Sequence, residues 1–226
     1  MSIIKSSAGS TRTIRTALVV AVALASTACA SLSNKSKGAA IGTAAGGAAG
    51  AAIGSKTGST ARGAIIGAVV GGATGMIIGN QMDKQAGELT TEIPGAVVER
   101  VGEGIQVTFA SGLLYDFDSD AIRPDAAQNL RTLATSLKEY PNTEVLIVGH
   151  TDALGTTVYN QDLSTRRANS ASAFLSMQGV GSGRMHTSGK GELEPLASNE
   201  TEAGRQMNRR IEVAIFAGAA ARTGTR

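Results

Sequence analysis

The sequence predicts an α+β fold in its C-terminal half, a mixed sheet with helices packed on it, preceded by a glycine-rich helical hairpin. Three observations carry that prediction. All seven aromatic residues (Phe109, Tyr115, Phe117, Tyr140, Tyr159, Phe174 and Phe216) lie between positions 109 and 216 of the 226, so a core of large side chains belongs there. In the same half, short β-branched runs alternate with segments whose apolar residues recur at helical spacing. Ahead of it, glycines stand at 38, 42, 46, 50, 54 and 58, then at 63, 67, 71, 75 and 79, four apart in both runs.

The chain opens on a targeting pattern. Residues 1–28 carry Lys5, Arg12 and Arg15 and no acid, and they hold the apolar run 17–25. Nine apolar residues are too few for a span, which takes about 20 in helix. A basic flank, a short apolar stretch and small residues before the cut are the anatomy of a secretory signal. Ser26-Thr27-Ala28-Cys29 resembles the end of a bacterial lipoprotein signal, with Cys29 as the acylated residue. Ser26 departs from the usual leucine, and Leu24 lies further back. The alternative is a plain signal peptide with an incidental thiol. Against it, a free thiol is a liability in an oxidising compartment, and Cys29 is the chain's one cysteine. By resemblance the anchor carries several acyl chains, which at about 0.8 kcal/mol per buried CH₂ means stable attachment. Ala30 rather than Asp after Cys29 favours the outer membrane.

Charge and composition narrow the function. The net charge of +3 vanishes without Lys5, Arg12 and Arg15, which leaves 18 basic against 18 acidic residues. No nucleic-acid partner is supported. One cysteine excludes a disulfide framework, and His150 with His186 is too few for a multi-histidine metal cluster.

Residues 29–37 read as a linker and 38–82 as the hairpin, with helices over roughly 39–55 and 63–80 and a turn at S-K-T-G-S-T-A-R. A step of four lays glycines along one slowly drifting helical stripe. Such a stripe lets two backbones approach, as small-xxx-small packing does in lipid. In water each glycine costs about 1 kcal/mol relative to alanine. An arm of about 17 residues is about 25 Å long, short of the ~30 Å hydrocarbon core. The hairpin therefore spans a thin bilayer, lies partly inserted, or joins subunits in a homo-oligomer. A flexible linker is the alternative, opposed by a register held over eleven glycines. The segment resembles the glycine-zipper region of some envelope lipoproteins. Residues 83–95 read as a second linker.

The domain proper is expected over 96–217. A-V-V-E-R-V and G-I-Q-V-T-F, divided near Gly102-Glu103-Gly104, form a hairpin. After Pro124, Leu130, Leu133, Ala134 and Leu137 recur at helical spacing until Pro141 stops the helix. V-L-I-V-G at 145–149 is a continuous apolar run, the pattern of a strand buried on both faces. A helix follows from about Leu163 to Gln178, with Leu163, Ala171, Phe174 and Leu175 inward. Met185–Lys190 forms a strand, Thr201–Met207 a short helix, and Arg210–Phe216 the closing strand. Residues 218–226 are expected to be a disordered tail. About 120 residues suffice for one such layered domain.

Two charges draw attention. Asp152 follows the buried strand, and Arg167 lies one turn from both Leu163 and Ala171, near the apolar face of its helix. A guanidinium without a partner in a poorly solvated place costs several kcal/mol. Asp152 is the nearest candidate to answer it. The residues alone leave two readings, a structural Asp152–Arg167 ion pair or a cleft in which both hold a zwitterion. Catalysis is not expected. His150, Asp152 and Ser164 lack a glycine-flanked nucleophile on a tight strand-to-helix turn, and Asp116 with Asp118 fits loop and cap duty as well as a glycosidase pair. No phosphate loop or metal-ligand spacing occurs, so no cofactor is expected.

Five blocks then point to a family. They are Tyr115-Asp116-Phe117-Asp118-Ser119, G-H-T-D-A-L-G at 149–155, N-Q-D-L-S-T-R-R-A at 160–168, G-K-G-E-L-E-P at 189–195 and G-R-Q-M-N-R-R at 204–210. In this order within residues 105–216 they resemble the OmpA-like domain that binds peptidoglycan. Tyr115 stands where phenylalanine is commoner, a change expected to be tolerated.

The resemblance implies that Asp152 and Arg167, from H-T-D and the second arginine of L-S-x-R-R, hold diaminopimelate of a stem peptide. Its stereocentre offers an ammonium and a carboxylate together, and an arginine fork takes the carboxylate bidentately. Thr151, Gly155 and Leu163 would shape the pocket wall, and Asn160 would cap the helix or bond the ligand. Tyr115 and Asp116 come from a second bordering loop, and Asn208 and Arg209 from a third. For Arg209 and Arg210 the alternative is an edge strand with one side chain solvated and one paired inside. Lys190, Glu192 and Arg205 are expected as surface charges. The whole chain is then expected to be an outer-membrane lipoprotein with its C-terminal domain in the periplasm, holding peptidoglycan non-covalently. The rival is a membrane-inserted glycine-zipper assembly for which wall binding is only an anchor.

Overall fold

The computed structural model describes residues 58–70, 75–116 and 118–218. Cys29, the signal segment, the linker 29–37, the first zipper arm and residues 219–226 lie outside the described residues. Five strands form one sheet: β1 Ala96–Val101, β2 Gly104–Ala110, β3 Thr143–Gly149, β4 Met185–Gly189 and β5 Arg210–Ala217, in the order β1-β2-β5-β3-β4. Every pairing is antiparallel except β3 with β4, which is parallel. The expected hairpin, the strand buried on both faces and the closing strand are all present. One expectation is corrected: β5 lies at the centre of the sheet, so Arg210 starts no edge strand.

The helices are α1 Thr60–Val70, α2 Gly75–Glu92, α3 Ser111–Leu114, α4 Ala127–Glu139, α5 Thr157–Met177 and α6 Glu202–Asn208. On one face of the sheet, Val107 and Phe109 of β2, Val145 and Ile147 of β3 and Val213 and Ile215 of β5 pack with Leu130, Leu133 and Leu137 of α4 and Ala168, Ala171 and Leu175 of α5. The opposite face is also covered. Leu146, Val148, Ala214 and Phe216 cluster there with Ala61 and Ile65 of α1. Alternate residues of β3 thus serve two cores, which is why V-L-I-V reads as an unbroken apolar run.

The second glycine run therefore takes a form unlike the expected zipper arm over 63–80. Ser59 caps α1, its Oγ accepting the Arg62 N–H at 3.2 Å. The helix lies on the sheet, and Arg62 Nε donates to Gln106 Oε1 at 3.0 Å. Gly104 is fitted to this contact: a Cβ there would stand 2.4 Å from Ile65 Cγ2 and 2.7 Å from the Ile215 carbonyl. The segment 83–95, expected as a linker, is largely helix. Met82, Ala86, Leu89 and Ile93 form an i, i+4, i+7, i+11 stripe buried in the main core, and Gln85 Nε2 donates to Ser136 Oγ of α4 at 3.1 Å. Among the described residues, no helix is long and apolar enough to cross a membrane.

Two terminations are explicit. Arg184 closes α4 by donating to the Leu137 and Tyr140 carbonyls, and also to Thr143 O at 2.9 Å. Helix α5 begins at Thr157, six residues ahead of the expected Leu163, because Thr156 supplies the cap through Oγ1 to the Tyr159 N–H at 3.2 Å.

Candidate functional site

The carboxylate and the guanidinium singled out above are set by the end of β3 and by the third turn of α5. Strand and helix meet very closely at Gly149, where a Cβ would lie 2.1 Å from the Ser164 carbonyl oxygen. Only glycine lets β3 pass under α5 there, and the chain then turns into His150-Thr151-Asp152. Thr151 is buried, and its N–H donates to Gly191 O at 2.9 Å. Gly155 completes the loop at a φ of +98°, a left-handed conformation.

Asp152 and Arg167 do not pair with each other. Asp152 is 6% exposed. Its Oδ1 accepts the Leu154 N–H at 3.0 Å, and its Oδ2 accepts Arg209 Nη1 at 2.6 Å. Arg209 also binds Glu202 through Nη2 at 2.6 Å. Its guanidinium pKa is raised, chiefly by the Glu202 hydrogen bond and further by Asp152. The structural ion pair expected as one alternative is therefore absent; a different arginine fills that role.

Arg167 is 5% exposed and has no carboxylate within 4.0 Å of its guanidinium among the described residues. Its Nε donates to Ser119 O at 2.8 Å and its Nη2 to Asp116 O at 3.3 Å. Nη1 has no acceptor among the described residues. Beneath the guanidinium lies the Tyr115 ring, 5.2 Å from Cζ to centroid, a cation–π contact. The Tyr115 hydroxyl donates to the Arg167 carbonyl at 2.7 Å. Tyrosine in place of phenylalanine is thus satisfied, its hydroxyl bonded although buried. Burial lowers the Arg167 pKa, with Tyr115, Asp118 and Asp120 opposing that shift.

The remaining expectations divide. Leu163 is buried on α5. Asn160 is neither cap nor flank but sits within the first turns of α5, 2% exposed. Its Nδ2 donates to Glu192 Oε2 at 2.6 Å, and Thr157 Oγ1 donates to the other oxygen at 2.8 Å. Glu192, expected as a surface charge, fastens the 190s loop to the start of α5. The signal available for it was its place in the G-K-G-E-L-E-P block. Asp116 turns its carboxylate outward to Arg123 at 3.1 Å and contributes only its carbonyl beside Arg167.

Asn208 supports the third loop. It is fully buried, with Oδ1 accepting Leu196 N and Ala197 N and Nδ2 donating to Ala197 O and Asn199 Oδ1, all at 2.8–2.9 Å. Its amide is spent on shaping the third loop. Arg210 is internal, its Nε 2.8 Å from Glu212 Oε1. Arg205 also does more than expected, donating to Asn199 O at 2.9 Å and to Glu202. His150 is fully buried, its Nε2 3.7 Å from Glu212 Oε2, and Ser164 Oγ donates to the Gln161 carbonyl at 2.9 Å. Nothing in that arrangement builds a nucleophile–base pair. Among the described residues no group of three or more His, Cys, Asp or Glu is placed to hold a metal.

What the site offers is a buried cation short of an anion, and a buried carboxylate whose arginine partner is partly exposed. A family model described as the OmpA family matches residues 114–209, and one described as YMGG-like Gly-zipper matches residues 10–83. The probable lipoprotein YiaD of Escherichia coli is 36% identical over 140 residues, 61% of this chain and 64% of that protein. A peptidoglycan-associated lipoprotein of Agrobacterium fabrum is 36% identical over 138 residues, 61% of this chain and 77% of that one. Among solved structures, the cell wall anchor of the T6SS from Pseudomonas aeruginosa superposes with TM-score 0.54 at 29% identity, covering 59% of this chain and 96% of that one. A putative MotB like protein from Desulfovibrio vulgaris shares the fold, with TM-score 0.58 at 20% identity over 63% and 94% of the two chains. The chain spans less than two thirds of the length of YiaD and of an outer membrane protein A from Bordetella avium, 64% and 57%.

Proposed function

The chain belongs to the OmpA family, and from that premise we propose that its C-terminal domain binds peptidoglycan non-covalently through diaminopimelate and so tethers the outer membrane to the cell wall. The observation that carries this reading is Arg167: a buried guanidinium held by two carbonyls and a tyrosine face, with no carboxylate of its own among the described residues. A buried charge left in that condition is costly. An incoming carboxylate relieves it, and Arg167 Nη1 is the donor to receive it.

The ammonium of the same stereocentre goes to Asp152. There Arg209 is the resident counter-ion, and because Glu202 also holds Arg209, the guanidinium can share Asp152 with a ligand amine without losing every partner. Thr151, Gly155, Asn160 and Leu163 keep the Asp152 loop and the start of α5 in place. Tyr115 and the Asp116 carbonyl hold Arg167. A wall presents many copies of one stem peptide, so modest single-site affinity suffices through effective concentration.

Acyl chains on Cys29 hold the other end in the outer membrane, with the domain in the periplasm. The match of residues 10–83 to a glycine-zipper family favours a second reading, a membrane-inserted oligomer anchored by wall binding. Cross-linking Gly46→Leu/Gly50→Leu protein, altered in the first glycine run rather than in α1, separates the two. Loss of oligomers with wall binding intact points to the zipper assembly, whereas unchanged assembly leaves tethering as the function. The direct test of wall binding is co-sedimentation of the full-length protein with peptidoglycan sacculi. Wild type pellets with them, and Arg167→Ala stays in the supernatant while keeping a native circular dichroism spectrum.

A further inference from the structure

Helix α1 belongs by sequence to the glycine ladder, yet it is fastened to the same short segment that builds the wall site. Glu194 receives both the Thr60 N–H, at 2.9 Å, and the Thr60 hydroxyl, at 2.5 Å. Ser59 Oγ donates to Glu212 Oε2 at 2.7 Å, in a spot where Glu212 is fully buried. Arg210 joins the two acids, with Nε on Glu212 at 2.8 Å and Nη2 on the Glu194 carbonyl at 3.1 Å.

From there the contacts run into the site. The Arg210 carbonyl accepts His150 N–H at 3.0 Å, two residues before Asp152, and Arg209 next to it holds Asp152 itself. Three residues of the 190s loop work on both sides. Gly191 O accepts Thr151 N–H, Glu192 ties down Asn160 and Thr157, and Glu194 grips α1.

We infer that docking of α1 on the sheet and occupancy of the wall site by a stem peptide favour each other. The inference rests on the wall-binding reading above. It needs two states with different contacts, and they can be named. With α1 docked, Glu194 and Glu212 have their donors and the 190s loop is held at both ends. With α1 released, Glu212 loses the Ser59 hydroxyl, Glu194 loses Thr60, and Leu146, Val148, Ala214 and Phe216 are opened to water. The loop that positions Thr151 and Asn160 then keeps Arg210 on the Glu194 carbonyl and Asn208 on Leu196 and Ala197, but loses the grip of the Glu194 carboxylate on α1. A ligand that requires those residues in place binds the docked state better, and it must by reciprocity stabilise the docking. The glycine ladder thus becomes a sensor joined to the wall grip rather than a passive spacer.

Hydrogen–deuterium exchange of the full-length protein in detergent micelles tests this, with and without saturating diaminopimelate-containing stem tripeptide. Amides of residues 62–68 should exchange at least about five-fold more slowly with peptide bound, beyond any slowing of residues 130–137 in α4. Reciprocally, the Ser59→Ala/Thr60→Val variant should bind the tripeptide about five-fold or more weakly. If the tripeptide binds and exchange over 62–68 is unchanged relative to α4, the coupling is wrong and wall binding stands. If wild type does not bind the tripeptide at all, the wall-binding reading fails and the coupling falls with it.

Discussion

Arg209 Nη1 stands 2.6 Å from Asp152 Oδ2, closing over a carboxylate that is itself 6% exposed. That pair settles what answers the acid at the end of β3, and it leaves Arg167 with carbonyls and a ring. The chain achieves this at the start of β5, where successive arginines diverge. Arg209 reaches the loop above the sheet, and Arg210 turns down to Glu212 beneath it.

Asp152 and its counter-ion Arg209 should therefore respond differently to loss. Asp152→Ala removes the group proposed to receive a ligand ammonium, and stem-peptide affinity should fall about 100-fold, as for truncation of one partner in a buried charge pair. Arg209→Ala removes only the resident counter-ion and should cost less than about ten-fold. Isothermal titration of both variants checks the order. Equal losses would mean that Arg209 contacts the ligand as strongly as Asp152 does.

Gly149 sets the distance between the site loop and α5. Gly149→Ala would drive a methyl group into the Ser164 carbonyl, an atom of helix backbone that cannot rotate away. A destabilisation of about 3 kcal/mol is expected in urea unfolding. A loss under about 1 kcal/mol would show that β3 and α5 are not held this tightly.

His150 gives the domain a pH dependence of definite sign. Burial lowers its imidazole pKa below the ordinary 6.5, with Arg210 acting the same way and Glu212 and Glu194 opposing. The unfolded chain takes up a proton near 6.5 that the folded chain refuses. Stability is therefore complete above that pH and declines as pH falls toward the folded value, by at most about 1.4 kcal/mol per pH unit from this group. Urea unfolding at pH 7.5, 6 and 5 should show a flatter profile in His150→Gln. Identical slopes in both proteins would remove His150 as the cause.

Ile65 reports on α1. It is fully buried against the sheet face that also holds Leu146 and Phe216, so Ile65→Ala in the full chain should cost about 2–4 kcal/mol. A change within about 0.5 kcal/mol, typical of a surface position, would place α1 off the sheet.

Much of this was legible in residue order. The β-branched runs at 96–101, 104–110, 143–149 and 210–217 read as strands, and Pro141 and Gly102–Gly104 mark the breaks. The α1 docking was not legible, because small residues at every fourth position suit a sheet face as well as a second helix in lipid. Helix α2 was hidden by Asp83, Lys84, Gln85 and Glu88, which read as linker although Met82, Ala86, Leu89 and Ile93 keep one apolar stripe among them. At the site, Asp152 and Arg167 stood out as chemistry, but their partners did not. Arg209 lies 57 residues from Asp152 in sequence, and only the central place of β5 brings it there.

The central claim is that Arg167 waits for a carboxylate from the cell wall. Its most direct test is equilibrium binding of the diaminopimelate-containing stem tripeptide to wild type, Arg167→Ala and Arg167→Lys, with a native melting profile required of each. Binding by wild type, loss of at least about 100-fold in Arg167→Ala and only partial recovery in Arg167→Lys, which lacks the fork, is the predicted outcome. Full affinity in a folded Arg167→Ala protein would contradict the account.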